Sequence, residues 1–158
     1  MTRLPATGVR LQAGLEAMAI PVSSRQLSAL LDYLTLLVRW NATYNLTSVR
    51  DPLLMVDRHL LDSLAILPFT GIADASVVDV GTGAGLPGVP LAIMKPDSAV
   101  DMLDSNGKKT RFLFQVKTAL GLDNMAVRHD RVENWAPGHP YDIVVSRAFA
   151  SLPDMVSC

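Results

Sequence analysis

The sequence predicts an α/β fold: a doubly wound, mostly parallel sheet of about four strands, preceded by a helical N-terminal extension. Three observations carry that prediction. Apolar residues recur at helical spacing through roughly the first 70 residues, and the period then changes to short β-branched runs separated by stretches of helical length. At the change, "VVDVGTGAGLPGVPL" (77–91) places Gly81, Gly83, Gly85 and Gly88 directly after the first such run.

Taken in order, residues 9–19 set Leu11, Leu15 and Met18 or Ala19 on one helical face, with Pro21 ending the segment. Ser23 and Gln26 form a capping box for a second helix, whose stripe Leu27, Leu30, Leu31, Leu34, Leu37 and Val38 runs as far as Trp40. The polar "NATYNLTSV" reads as a turn. Asp51-Pro52 then opens a third helix with Val56, Leu60, Leu61 and Leu64 inward, closed by Pro68 and Gly71. From residue 76, "SVVDV", "AVDML", "MAVRH" and "YDIVVS" read as strands, and "GVPLAIMK" and "GKKTRFLFQVKTAL" as helices between them. Strand and helix in alternation imply right-handed crossovers and a parallel sheet. The expected organisation is a helical segment 1–70 packed on an α/β unit 71–158. The ending "FASLPDMVSC" starts another helix at Pro153-Asp154 and stops, which reads as a fragment or shortened chain whose last strand is an exposed edge, open to association.

Composition narrows the function classes. The 158 residues are 49% hydrophobic and 18% charged, as in a soluble globular protein, with 14 basic against 15 acidic side chains. That balance gives no global attraction to a polyanion, so a nucleic-acid partner must use a local basic patch. Cys158 is the single cysteine, which excludes an intrachain disulfide and suits a reducing cytoplasm. No metal site and no membrane span are expected.

The glycine loop carries the chemistry. "GAGLPG" satisfies G-x-G-x-x-G, in which glycines let a ligand approach the backbone at a helix N-terminus. Asp104, about 20 residues further on at the end of the second strand, is placed to accept hydrogen bonds from ribose hydroxyls. Its alternative role is to cap the helix near Lys108. Asp79 precedes Gly81 by two residues, and the resulting D-x-G-x-G-x-G resembles motif I of S-adenosylmethionine-dependent methyltransferases. There the carboxylate helps to hold the amino-acid end of the cofactor; otherwise it accepts turn N–H groups.

Longer blocks resemble one family. "WNATYNLTSVRDP", "RHLLDSLA", "DVGTGAGLPGVPLAI", "MLDSNGKKTRFL", "RVEN" and "VVSRAFASLPDMVS" are similar to the bacterial small-subunit (16S) ribosomal RNA guanine-N7 methyltransferases, or glucose-inhibited division protein B. The resemblance spans residues 40–158 and implies S-adenosyl-L-methionine as cofactor and small-subunit ribosomal RNA as partner. It also implies a longer chain, with a further strand and a final antiparallel pair. The cofactor contacts it implies fall on Gly81, Leu86, Val132, Glu133 and Arg147, to which the loop reading adds Gly83, Gly85 and Asp104. Glu133 alternatively starts a helix, and Arg147 is alternatively a plain surface arginine.

For the RNA, the family-like blocks offer Asn45, Arg58, His59 and Arg147, and Lys108, Lys109 and Arg111 form a basic cluster or a solvated helix face. Trp40 and Tyr44 are candidates for base stacking or for the core. His59 with Asp62 and Ser63 is better read as a helix-surface network than as a hydrolase triad, because a regular helix supplies neither a strained elbow nor oxyanion donors. Guanine N7 carries a free lone pair and loses no proton on methylation. Positioning therefore replaces a general base, and no catalytic residue is assigned. The competing expectations are a nicotinamide-dependent oxidoreductase using the same loop and a non-catalytic cofactor- or RNA-binding module.

Overall fold

A computed structural model of the chain describes residues 5–71 and 73–147. The helix expected at Pro153-Asp154 lies outside the described residues. The elements are α1 (Pro5–Ala17), α2 (Ser24–Tyr44), α3 (Pro52–Met55), a π-helical turn (Val56–Leu61), α4 (Asp62–Leu64) and α5 (Leu67–Thr70), then β1 (Ser76–Val80), α6 (Gly88–Met94), β2 (Ala99–Asp104), α7 (Gly107–Leu120), β3 (Met125–His129) and β4 (Ile143–Ser146).

The four strands are parallel in the order β3-β2-β1-β4. From β1 the chain steps outward through α6 and α7, then returns to the other side of β1 for β4. The order therefore reverses between β1 and β4, and the crevice outside the carboxyl ends there is where such sheets bind ligands. Register brings those ends level: Val80 lies opposite Leu103 and Ser146, and Asp104 opposite His129. Among the described residues β4 pairs only with β1, and Val144 is 54% exposed, so β4 is an edge strand.

One face of the sheet supports α6 and α7, and α2 packs against both helices. Leu11, Leu15, Leu30, Leu37, Val77, Val100, Met102, Phe112 and Leu113 share a continuous apolar core, so the N-terminal helices and the sheet bury each other's surface. The other face is thinner. Val78, Val80 and Leu103 meet Val132, Trp135 and Tyr141 from the irregular connection between β3 and β4. Tyr141, expected within the fourth strand, instead turns onto that face and donates to Asp101 Oδ2 at 2.6 Å.

Local chemistry explains the boundaries that differ from the expected ones. α1 starts at Pro5 rather than near residue 9, and ends at Ala17 with Ala19 left-handed (φ 55°), before Pro21 is reached. The Ser23–Gln26 capping box is present in full. α2 continues past Trp40 through "NATY", because the polar residue there serves the following loop instead of making a turn. Asn41 Oδ1 accepts from Thr47 N at 2.8 Å and Asn41 Nδ2 donates to Val49 O at 3.2 Å. Asp51 caps α3 as expected, but the run beyond it widens into the π turn over "VDRHLL", a feature that hydrophobic periodicity does not encode.

Candidate functional site

The loop from Gly81 to Pro87 leaves β1 at the switch point and is tied down on three sides. From below, Asp79 Oδ2 accepts from Thr82 Oγ1 at 2.6 Å and from Gly88 N, the start of α6, at 2.8 Å. From β2, Asp104 Oδ2 accepts from Gly83 N at 2.8 Å while Asp104 Oδ1 accepts from Asn106 N at 2.8 Å. From α2, the buried Tyr33 hydroxyl donates to Ala84 O at 2.7 Å. Each contact joins the loop to a different element, so the loop conformation is over-determined.

The glycines divide by role. Gly83 is left-handed (φ 60°) and a Cβ there would meet nothing within 4 Å, so it faces open space. Gly88 touches the Asp79 carboxylate so closely that a Cβ would lie 2.8 Å from Oδ2. Gly85 is buried against Val89 and Leu113, where a Cβ would stand 2.5 and 2.7 Å from their side chains, so its missing side chain permits close packing. The Leu86 side chain lies in the core at 8% exposure.

A cleft of about 300 Å³ opens above the loop, lined by Val80, Gly81, Leu103, Asp104, Lys109 and Val132 together with Ser105, Asp130, Arg131 and Glu133. Four predicted cofactor residues, Gly81, Asp104, Val132 and Glu133, therefore converge. Asp104 does not cap α7; Asn106 does, accepting from Lys108 N and Lys109 N. Glu133 stands exposed in a turn, not at a helix start. Lys109 enters this cleft instead of joining the exposed Lys108 and Arg111.

Arg147 lies elsewhere, in a neighbouring cleft of about 420 Å³ with Asp62, Ser63, Thr70 and Ser146. It donates through Nη2 to Arg58 O at 2.8 Å, and its Nε stands 3.5 Å from Asp62 Oδ2. The α3–α4 run and β4 are thereby clasped together. The structure thus brings Arg58 and Arg147 together but leaves Asn45 apart: Asn45 is the left-handed C-cap of α2 and accepts from Arg50. His59 corrects the expectation of a surface network. It is buried, its Nε2 is 2.8 Å from Thr47 Oγ1, and burial lowers its pKa. Neither Ser63, buried without a partner among the described residues, nor Asp62 bonds to it.

Asp79 fills the turn role considered for it. Oδ2 serves the turn, while Oδ1 is buried with no partner among the described residues. Burial pushes its carboxyl up to about 7, against the hydrogen bonds from Thr82 and Gly88 and the nearby charge of Arg147. Arg147 Nη1 is likewise buried and unpartnered among the described residues. An unpartnered carboxyl oxygen and an unpartnered guanidinium nitrogen, both beneath the loop and strand ends, are of the types that pair with the ammonium and carboxylate of an α-amino acid. With a cleft whose Asp104 can accept from a ribose and whose Val132 can wall an adenine, the donor set fits S-adenosylmethionine.

Tyr33, Thr82, Asp130 and Arg131 escaped the sequence reading. Thr82 had a usable signal, a hydroxyl three residues beyond Asp79 in a turn; Tyr33, inside a leucine stripe, had none.

Comparison with known proteins agrees with the geometry. The family described as GidB, rRNA small subunit methyltransferase G, matches residues 26–158. Proteins named ribosomal RNA small subunit methyltransferase G are similar throughout: that of Stutzerimonas stutzeri is 55% identical over 91% of this chain and 67% of its own length, and that of Hydrogenovibrio crunogenus 55% identical over 94% and 68%. That of Pseudomonas syringae pv. tomato is 51% identical over 95% of this chain and 70% of its own. The chain thus spans about two thirds of the length of these curated relatives. Among solved structures, a putative S-adenosyl-L-methionine-dependent methyltransferase of Methanococcus maripaludis matches 73% of this chain and 49% of its own with a TM-score of 0.56 at 19% identity. Coclaurine N-methyltransferase, solved with N-methylheliamine and SAH, matches 89% and 47% with a TM-score of 0.50 at 14% identity. The sheet, its order and its helices are those of the S-adenosylmethionine-dependent methyltransferase fold, and the chain belongs to the rRNA small subunit methyltransferase G family.

Proposed function

We propose that the protein transfers a methyl group from S-adenosylmethionine to N7 of a guanine in 16S ribosomal RNA, in the cytoplasm. The observation that carries this reading is the convergence of Gly81, Asp104, Val132 and Glu133 on one cleft above a loop held by Asp79, Asp104 and Tyr33. Asp104 would hold the ribose hydroxyls, Val132 and Glu133 would flank the adenine, and Asp79 with Arg147 would meet the amino-acid end. When bound, the cofactor supplies a methyl group on a positively charged sulfur.

The chain's own residues orient and exclude water. Guanine N7 presents a lone pair and releases no proton, so no side chain has to act as a base, and rate enhancement comes from alignment. The three ties on the loop meet that need, since small displacements of the reacting groups are costly. In this reading residues 1–70 brace the cofactor unit 71–158 and offer Arg58 and the surface beside Arg147 to the RNA. His59, buried, supports the helix from within.

Equilibrium binding tests the reading. The S-adenosylhomocysteine product should bind and Asp104→Ala should weaken it, while NAD should not compete. Saturable NAD binding with no affinity for S-adenosylhomocysteine would overturn it.

A further inference from the structure

We propose that a groove between the C-terminal half of α2 and the first half of α7 is a docking surface for unpaired nucleotides of the RNA substrate; the inference rests on the RNA reading above. The groove holds about 370 Å³ and is lined by Leu36, Arg39, Trp40, Thr43, Tyr44 and Gln115. Trp40 and Tyr44 stand 5.2 Å apart between ring centroids, and Trp40 is backed by Phe112 at 5.5 Å. Trp40 is therefore rigid, whereas Tyr44, 39% exposed, leaves a ring open to solvent. A rigid half-buried indole beside an exposed phenol provides two π surfaces with little side-chain entropy left to lose on binding.

Charge favours the same partner. Arg39 is exposed on the groove's wall. On α7, Lys108 and Arg111 precede Gln115 at helical spacing, and both are exposed. None of the three cations has a carboxylate partner among the described residues. In a chain with a net charge of −1, an unpaired cation on the wall of an aromatic groove, with two more on the turns of α7 that precede its Gln115, is a local concentration of positive charge beside stacking surface. Single-stranded nucleic acid is recognised by that combination, with aromatic rings for the bases and cations along the phosphates.

Placement also fits. Tyr33 on α2 reaches the glycine loop at the carboxyl end of β1, and Trp40 and Tyr44 lie two and three turns further along the same helix. α7 begins directly after Asp104, so its first turns stand at that same end of the sheet. An RNA segment seated in the groove would lie at the rim from which the cofactor cleft opens.

The test compares the wild-type chain with Tyr44→Ala, Arg39→Gln and Arg39→Gln/Arg111→Gln, all at exposed positions, for binding a fluorescein-labelled single strand and the corresponding duplex of small-subunit rRNA sequence. Binding of S-adenosylhomocysteine is measured alongside. Tyr44→Ala should weaken single-strand binding about tenfold, as expected for one lost stacking contact. The double variant should lower the slope of log affinity against log salt for the single strand by roughly 1.4. Cofactor affinity should stay within about twofold of wild type, which shows that the variants are folded. Unchanged RNA affinity and salt slope in every variant would overturn the groove while leaving the RNA reading intact. Failure of the wild-type chain to bind any RNA, with cofactor binding retained, would overturn both.

Discussion

The hydroxyl of Tyr33 donates a 2.7 Å hydrogen bond to the carbonyl oxygen of Ala84, and both groups are buried. An N-terminal helix thereby holds the cofactor loop of the α/β unit. Removing the hydroxyl leaves a buried carbonyl without its donor, at a cost of about 1–3 kcal/mol. Tyr33→Phe should lower thermal stability and weaken S-adenosylhomocysteine binding severalfold, measured by calorimetry on the same sample. Binding unchanged in a destabilised variant would show that the bond supports the fold but not the loop's competence.

Gly83 and Gly88 should respond differently to alanine. At Gly88 the new methyl would meet Asp79 Oδ2 at 2.8 Å and Met102 at 3.0 Å, so Gly88→Ala should destabilise the fold by about 1–3 kcal/mol in urea denaturation. At Gly83 the space is open and the penalty is the left-handed backbone, about 1 kcal/mol. Gly83→Ala should therefore lose more cofactor affinity than stability, which paired binding and denaturation curves will reveal.

Asp79 should make stability fall with rising pH. An unfolded aspartate titrates near 3.8, while burial holds the folded group up to about 7. Between those values the folded chain retains a proton that the unfolded chain has released. Stability is therefore highest below the unfolded value, declines through the window and levels off above about pH 7. The slope from this one group approaches 1.4 kcal/mol per pH unit. Asp79→Asn keeps an acceptor for Thr82 and Gly88 and should flatten that part of the profile, as seen in denaturation midpoints at about pH 5 and pH 8.

Asp104 joins Gly83 N and Asn106 N through separate oxygens, so Asp104→Ala removes two charge-assisted hydrogen bonds along with the acceptor proposed for the ribose. At about 1.5–3 kcal/mol for each such bond the variant should lose stability, and with Gly83 released and the proposed ribose acceptor gone, cofactor affinity should fall at least tenfold in a titration. Asp104→Asn, which retains one acceptor oxygen, should lose less.

Much of this was legible because periodicity and turn chemistry are local. The Ser23–Gln26 box, the Asp51 cap, all four strands and the convergence of Gly81, Asp104, Val132 and Glu133 follow from patterns within a few residues of each element or from the family's blocks. What escaped depends on contacts across the chain. Gly85 looks like Gly83 in sequence, and only the approach of Val89 and Leu113 shows that it packs. His59 sits among polar neighbours, and its burial follows from the π turn and from Thr47, twelve residues away. Tyr33 reads as one more apolar residue until the loop 51 residues later is folded against it.

The most direct test of the account is methyl transfer itself. The chain is incubated with S-adenosylmethionine carrying a labelled methyl group and with small-subunit ribosomal RNA, both deproteinised and in the intact subunit. Modified positions are then mapped by strand scission at N7-methylguanine. Label is expected at a guanine in 16S RNA, with scission at that nucleotide and loss of both in Asp104→Ala. Label at a ring nitrogen other than N7 or at a ribose, or no label from a sample that binds S-adenosylhomocysteine and RNA, would contradict it.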